Sequence, residues 1–338
     1  MRILQIDPED LQAITAFHRI QIEAGRTDRG DGFAAPPLER TVQALRGGSG
    51  LSVTAFLGFE GDVPVASGWC GAYGEPRWAY VVPRVLAGFR RRGYGTAMLR
   101  AIEDQEPIRG CALQSNGAWA GRHGPAGTGS AVAGFASRRG WELGRVDARS
   151  RLALPVPPDR LEAVTAARKD RRRGYLVTAW AGATPTALID GWDALERPPS
   201  ERPAALAHRQ QEHPSSKRPA ALAHREQERL LTDRKRAKFS AVARSPAGEV
   251  VASTFLTVGL DTSEPADQQR TFVAPGHRGR GLGLAMKVEL LERLQHDRPD
   301  IGAIHTRNTM ANAPILAVND ALGYVRSAYS GTFHRRRA

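Results

Sequence analysis

Val273-Ala274-Pro275-Gly276-His277-Arg278-Gly279-Arg280-Gly281-Leu282-Gly283 is the stretch on which the reading of this chain turns. An apolar strand end runs into an Arg-x-x-Gly-x-Gly turn, and Leu284-Ala285-Met286-Lys287 then opens a helix. The same pattern stands earlier as Val85-Leu86-Ala87-Gly88-Phe89-Arg90-Arg91-Arg92-Gly93-Tyr94-Gly95, followed by Thr96-Ala97-Met98-Leu99. The two superpose without gaps at an offset of 188 residues (273 − 85). Glycines at these places let the backbone turn tightly and bring bare N–H groups against a ligand. The helix N-terminus adds unpaired donors and the positive end of its dipole. Arg278 and Arg280, or Arg90 and Arg92, are expected to add charge-assisted hydrogen bonds to phosphate. Each copy therefore predicts a cradle for a diphosphate.

Working outward, the elements before each cradle also repeat. Residues 1–6 alternate like a short strand, and Asp7-Pro8 reads as the N-cap of a helix whose face carries Leu11, Ile14, Phe17 and Ile20. Leu51–Gly58, the turn Glu60-Gly61-Asp62 and Val63–Gly71 form a hairpin, and Trp78–Val82 begins another strand. In the second half Tyr175–Trp180 is a strand, Thr184–Leu195 a helix, Phe239–Arg244 and Val250–Val258 a hairpin, and Thr271–Val273 a strand end. Gly140-Trp141 matches Gly323-Tyr324 at an offset of 183 (323 − 140). These matches predict two homologous domains, over 1–154 and 171–338, joined by a proline-marked linker over 155–170.

A shorter repeat lies inside the second half. Arg202-Pro203-Ala204-Ala205-Leu206-Ala207-His208-Arg209 recurs at 218–225. Residues 197–238 carry 11 Lys/Arg and 5 Asp/Glu, and read as a duplicated basic helical insertion, solvated or lid-like. His208, His213 and His224 lack the spacing of metal ligands, so no metal is expected.

Composition sets the frame. A chain of 338 residues, 41% hydrophobic, can bury two cores of ordinary size. No apolar run reaches membrane-spanning length, and the start lacks a secretory leader's pattern. Cys70 and Cys111 are the two cysteines and read as structural thiols, which points to a cytoplasmic protein. A net charge of +13 favours anionic ligands: phosphorylated cofactors, acidic substrates or nucleic acid.

A P-loop needs Gly-Lys-Ser/Thr after its glycines, and a Rossmann fingerprint needs a third Gly/Ala where Met98 and Met286 stand; neither fits. What remains resembles the GNAT superfamily of acyl-CoA-dependent N-acyltransferases, whose signature Val-x-Pro-x-x-Arg/Gln-x-x-Gly-x-Gly/Ala is filled by Val273, Pro275, Arg278, Gly281 and Gly283. The first copy departs once, with Ala87 in place of proline. The chain also resembles tandem actinobacterial members related to mycothiol synthase. The resemblance implies an α/β fold of two tandem GNAT domains, each a mixed, mostly antiparallel twisted sheet flanked by helices.

It further implies acetyl-CoA or another acyl-CoA as donor. The donor would be held by Phe272, Val273, Arg278, Gly279, Arg280, Gly281, Leu282, Gly283, Leu284 and, on the pantetheine arm, Asn312. A second site would involve Val85, Arg90, Arg91, Arg92, Gly93, Tyr94, Gly95 and Thr96. A small-molecule amine, an anionic one among the candidates, would attack the thioester, in the manner of antibiotic or specialised-metabolite acylation. A backbone N–H on the strand ending at Val273 would polarise the carbonyl. Asn308 is expected near the thioester, Asn319 stands where relatives carry a tyrosine acid, and Asp267 or Glu264 could serve as base. Gly129 falls where Asn312 falls, and Asn116–Gly129 reads as a loop, so catalysis is assigned to the second domain. Two alternatives stay open. One is a tRNA-dependent or tRNA-modifying transferase, which the basic segment 197–238 motivates. The other is a non-catalytic acyl-CoA or nucleic-acid binding module, although that segment lacks a single-strand binder's aromatics.

Overall fold

A computed structural model of the chain describes residues 1–30, 36–47, 53–73, 78–166, 174–196, 228–231, 233 and 235–335. The duplicated insertion at 197–227 lies outside the described residues. The chain divides into two compact units: 1–149 with 308–312 and 326–338, and 150–307 with 313–325.

The first unit begins with β1 (Arg2–Gln5) and α1 (Leu11–Arg29). The cap of α1 is Asp10, whose carboxylate accepts the Ala13 N–H at 2.9 Å. Asp7, the expected cap, instead accepts the Glu9 N–H in the preceding turn. Then follow α2 (Leu38–Leu45), β2 (Thr54–Glu60), β3 (Val63–Tyr73), β4 (Trp78–Val85), α3 (Tyr94–Glu103), β5 (Ala112–Ala120), α4 (Ala131–Ser137) and the first part of β6 (Glu142–Ala153). Residues 116–120, expected in a loop, belong to β5. Gly117 is the reason the loop reading fails: it looks like a breaker, yet a Cβ there would lie 2.2 Å from Val132. The glycine lets α4 close on the strand.

The sheet of this unit runs β1-β2-β3-β4-β5-β12, where β12 (Val325–Arg335) is the last strand of the chain and pairs antiparallel with β5 from Ala328↔Ala120 to Arg335↔Leu113. Successive strand residues face opposite sides, so the sheet feeds two cores. Ala55 and Leu57 pack with Ile14, Phe17 and Ile20 of α1. Ala79, Val81 and Leu113 pack with Met98, Leu99 and Ile102 of α3 and with Ala136 of α4.

The second unit repeats the plan with α5 (Pro158–Ala166), β7 (Leu176–Ala181), α6 (Thr186–Glu196), β8 (Arg236–Arg244), β9 (Val250–Gly259), β10 (Ala266–Val273), α7 (Leu282–Asp297), β11 (Ala303–Thr309) and α8 (Ala313–Leu322). Its sheet order is β11-β10-β9-β8-β7. Part of the stretch expected as a linker is α5, whose Leu161, with Val156 just before it, joins the core around Leu256, Met286 and Leu290. Both cysteines are buried and free in the first unit, and burial pushes the Cys70 thiol up to about 11.

Candidate active site

Each cradle is built the same way. A 3₁₀ turn (Ala87–Phe89 or Pro275–His277) leads from the strand to a left-handed glycine at the helix N-cap, Gly93 with φ 83° or Gly281 with φ 76°. The signature arginines do something the sequence did not suggest. Arg90 Nε donates to the Val85 carbonyl at 3.0 Å, and Arg278 Nε donates to the Val273 carbonyl at 3.1 Å. They close the turn against the strand end, and Arg90 is further tied to Asp28 at 2.8 Å. Arg92 and the Tyr94 hydroxyl both reach Glu60 on the hairpin. Arg280 lies over the Tyr175 ring, whose hydroxyl meets His277 Nδ1 at 2.9 Å. The donors left for a phosphate therefore include the first N–H groups of α3 and α7 and, in the first cradle, the guanidinium of Arg91 in the cavity wall.

Beside each cradle a parallel strand pair parts. β4 and β5 are registered only from Trp78↔Ala112 to Tyr80↔Gln114, and β10 and β11 only from Ala266↔Ile304 to Asp267↔His305. Beyond those residues the strands diverge into a fork whose open end lies at the cradle. In the first unit a cavity of about 320 Å³ fills this fork. It is lined by Arg91, Gly93, Gly95 and Thr96 of the cradle, by Pro83–Val85 and Ser115–Gly117 of the two strands, by Val132, Phe135, Trp141 and Phe333, and by Asp28, the partner of Arg90. Helix-start N–H donors opening on a slot with both apolar and basic side chains in its wall suit an elongated ligand with an anionic end.

The backbone facing the two forks differs at one place. Leu86 N–H donates to Val65 O, so antiparallel alternation turns the backbone of Val81, Pro83 and Val85 away from β3 and into the first fork. Ala274 N–H donates to Val251 O, which turns Thr271 and Val273 into the second. Thr271 offers an N–H there; Pro83, its counterpart at the 188-residue offset, has none.

Of the expected catalytic groups, Asp267 is held by Arg236 at 2.9 Å, at the closed end of its fork. It lies about 20 Å along the strand from Val273, at roughly 3.3 Å per residue. Asn308 and Asn312 fall in the segment 308–312 that groups with the first unit, where Met310 N–H donates to Val146 O at 2.8 Å. Asn319 is buried, and its Oδ1 accepts from Lys287 Nζ at 2.7 Å. Lys287 is itself buried, 5.3 Å from the Tyr324 ring centroid, and burial pulls its pKa down to about 7. In the first unit Leu99 and Ala136 hold the corresponding places, and Ala136 lines the cavity. Pro83, Arg84, Asp28 and Lys287 were missed by sequence reasoning. Extending the gapless superposition backward would have set Pro83 against Thr271 and Arg84 against Phe272. Among the described residues no cluster of three metal-binding side chains stands together, and no helix is long and apolar enough to cross a membrane.

These features define a repeated α/β fold with a diphosphate-type cradle at a strand fork. Solved structures share it. A tandem GNAT protein from the clavulanic acid biosynthesis pathway, without acetyl-CoA, matches 99% of this chain and 98% of its own at 20% identity, with a TM-score of 0.67. A GCN5-related N-acetyltransferase from Sphaerobacter thermophilus matches 98% of this chain and 95% of its own at 14% identity and TM-score 0.56. A GNAT-family acetyltransferase from Colwellia psychrerythraea matches 99% and 100% at 10% identity and TM-score 0.54. No family model matches the sequence, and no curated protein matches it. The chain has the tandem GNAT fold, as the paired cradles led one to expect.

Proposed function

We propose that this protein is an acyl-CoA-dependent N-acyltransferase that moves an acyl group to a primary amine of a small molecule. The observation that carries the reading is the cavity running from the Gly93 cradle into the fork between β4 and β5. Amide donors at a helix start and an apolar slot beside them suit one elongated ligand with a diphosphate at one end and a neutral arm at the other. The kinship of fold with named acetyltransferases supports the same conclusion.

The two units take different parts. The second does the chemistry, because Thr271 keeps the fork-facing N–H that can hydrogen-bond the thioester oxygen as negative charge grows on it. The first holds a donor without rapid turnover, because Pro83 lacks that N–H. The protein's main contribution is to hold the amine and the thioester carbon in line and out of water. As the C–N bond forms and the C–S bond breaks, the amine's proton passes to water and the thiolate leaves on coenzyme A. An acceptor drawn from specialised metabolism is favoured by the neighbour from the clavulanic acid pathway. The RNA-directed alternative leaned on residues 197–238, of which 197–227 lie outside the described residues.

The test is free-thiol release from acetyl-CoA and longer acyl-CoAs against a panel of amines. Gly281→Glu puts a carboxylate and a side chain on a left-handed residue at the second cradle and is expected to abolish turnover, whereas Gly93→Glu leaves some. Equal loss in both refutes the assignment of chemistry to the second unit.

A further inference from the structure

Arg84 lines the first cavity from β4, one residue after Pro83 and four after Tyr80, where the register with β5 ends. Its Nη2 donates to the Asn116 carbonyl at 3.2 Å across the fork, and its Nη1 makes a long 3.4 Å contact to the Pro83 carbonyl. A guanidinium carries five donors, and these two contacts use two of them. Among the described residues no carboxylate is bonded to it. Asp28, the one acidic residue of the cavity wall among the described residues, is bonded to Arg90 instead and acts on Arg84 only at a distance. Burial lowers the pKa of Arg84, and the pull of Asp28 only partly offsets this. A half-buried cation with spare donors on a cavity wall is a site for an anion.

A bracing role for Arg84 is argued against by the repeat itself. At the same place in the second unit stands Phe272, and that fork forms without any guanidinium. The diphosphate end is assigned to the cradle at Arg91–Thr96, whereas Arg84 adjoins Pro83, whose backbone faces the fork where a thioester carbonyl would lie.

We propose that Arg84 makes the first unit a site for a carboxylate at the acyl end of the bound thioester, so that the donor held there carries a dicarboxylic acyl group. This rests on the reading of the cavity as a coenzyme A site. A carboxylate on the acceptor amine is the other source of the same chemistry. The acyl chain is preferred because the fork at Pro83 lacks the N–H that would activate the carbonyl, and a group held there is stored rather than transferred.

The experiment is calorimetry on the full chain carrying Gly281→Glu, which closes the second cradle, with coenzyme A, acetyl-CoA, malonyl-CoA, succinyl-CoA and glutaryl-CoA as titrants. One dicarboxylic thioester is expected to bind about tenfold tighter than acetyl-CoA, the gain of a charge-assisted pair in a half-buried site. Arg84→Phe, which copies the second unit, is expected to erase that difference. Arg84→Gln keeps a donor for the Asn116 carbonyl and is expected to erase it too, so the test survives if the phenylalanine variant does not fold. A gain that appears only when acetyl-CoA is paired with a carboxylate-bearing amine overturns the acyl-chain assignment. Coenzyme A binding with all acyl forms equal overturns this inference alone. Failure of coenzyme A to bind overturns the cavity reading and this inference with it.

Discussion

Arg91 sits in the left-handed region, with φ 66°, at the place where the second cradle has Gly279 with φ 75°. A side chain in that conformation costs about 1–2 kcal/mol. Replacement by glycine relieves this but frees the unfolded chain, at a cost of about 0.5–1 kcal/mol. Arg91→Gly is therefore expected to stabilise the first unit by roughly 0.5–1 kcal/mol, a rise in melting temperature of about 1–4 °C for a unit of this size. The conformation turns the Arg91 side chain to the cavity wall beside Gly93. If the strain is kept for phosphate contact, the same change removes a charge-assisted hydrogen bond worth about 1.5–3 kcal/mol and weakens coenzyme A binding by about tenfold to a hundredfold. Calorimetry in the Gly281→Glu background and thermal melts of the same variant read the two effects together. A variant that is more stable and binds coenzyme A as tightly as its parent refutes the idea that Arg91 is strained in the service of the ligand.

Other changes should behave as follows. Pro83→Ala returns an N–H to the first fork, and in the Gly281→Glu background it should bring thiol release up from the floor; no gain would mean the missing amide is not what silences that unit. Lys287→Leu with Asn319→Ala copies the Leu99 and Ala136 pair of the first unit and removes a buried amine. The folded pKa of Lys287, about 7, lies below its ordinary 10.5, so the unfolded chain binds the extra proton and native stability rises with pH between those values. The double variant should thus gain a few kcal/mol over its parent at pH 7, with the gap closing toward pH 10 in denaturant titrations. A gap that does not change with pH would show that Lys287 is not titrating in that window. Gly117→Ala drives a methyl against Val132 and should destabilise the first unit by about 1–3 kcal/mol while shrinking the cavity, seen as a lower melting temperature and weaker coenzyme A binding.

The cradles were legible in the sequence because their cause is local: a glycine with positive φ and the helix that follows it are written in adjacent residues. The hairpins and the first helix were legible for the same reason, through alternation and through Ile14, Phe17 and Ile20. What escaped depends on partners far along the chain. Gly117 reads as a loop residue until Val132 is seen against it, and the division near 154 looks natural until β12 pairs with β5. The signature arginines looked free for phosphate, yet the carbonyls of Val85 and Val273 take their Nε atoms. Lys287 carries no sign in the sequence that its amine is buried against Asn319. The contrast of Pro83 with Thr271 was on view, and became meaningful only once the direction of each strand's backbone was known.

Isothermal titration of the unmodified protein with coenzyme A asks the central question with least interpretation. Binding with an affinity that Gly93→Glu and Gly281→Glu each reduce is the predicted result. A flat titration with coenzyme A and with every acylated form would contradict the account at its base.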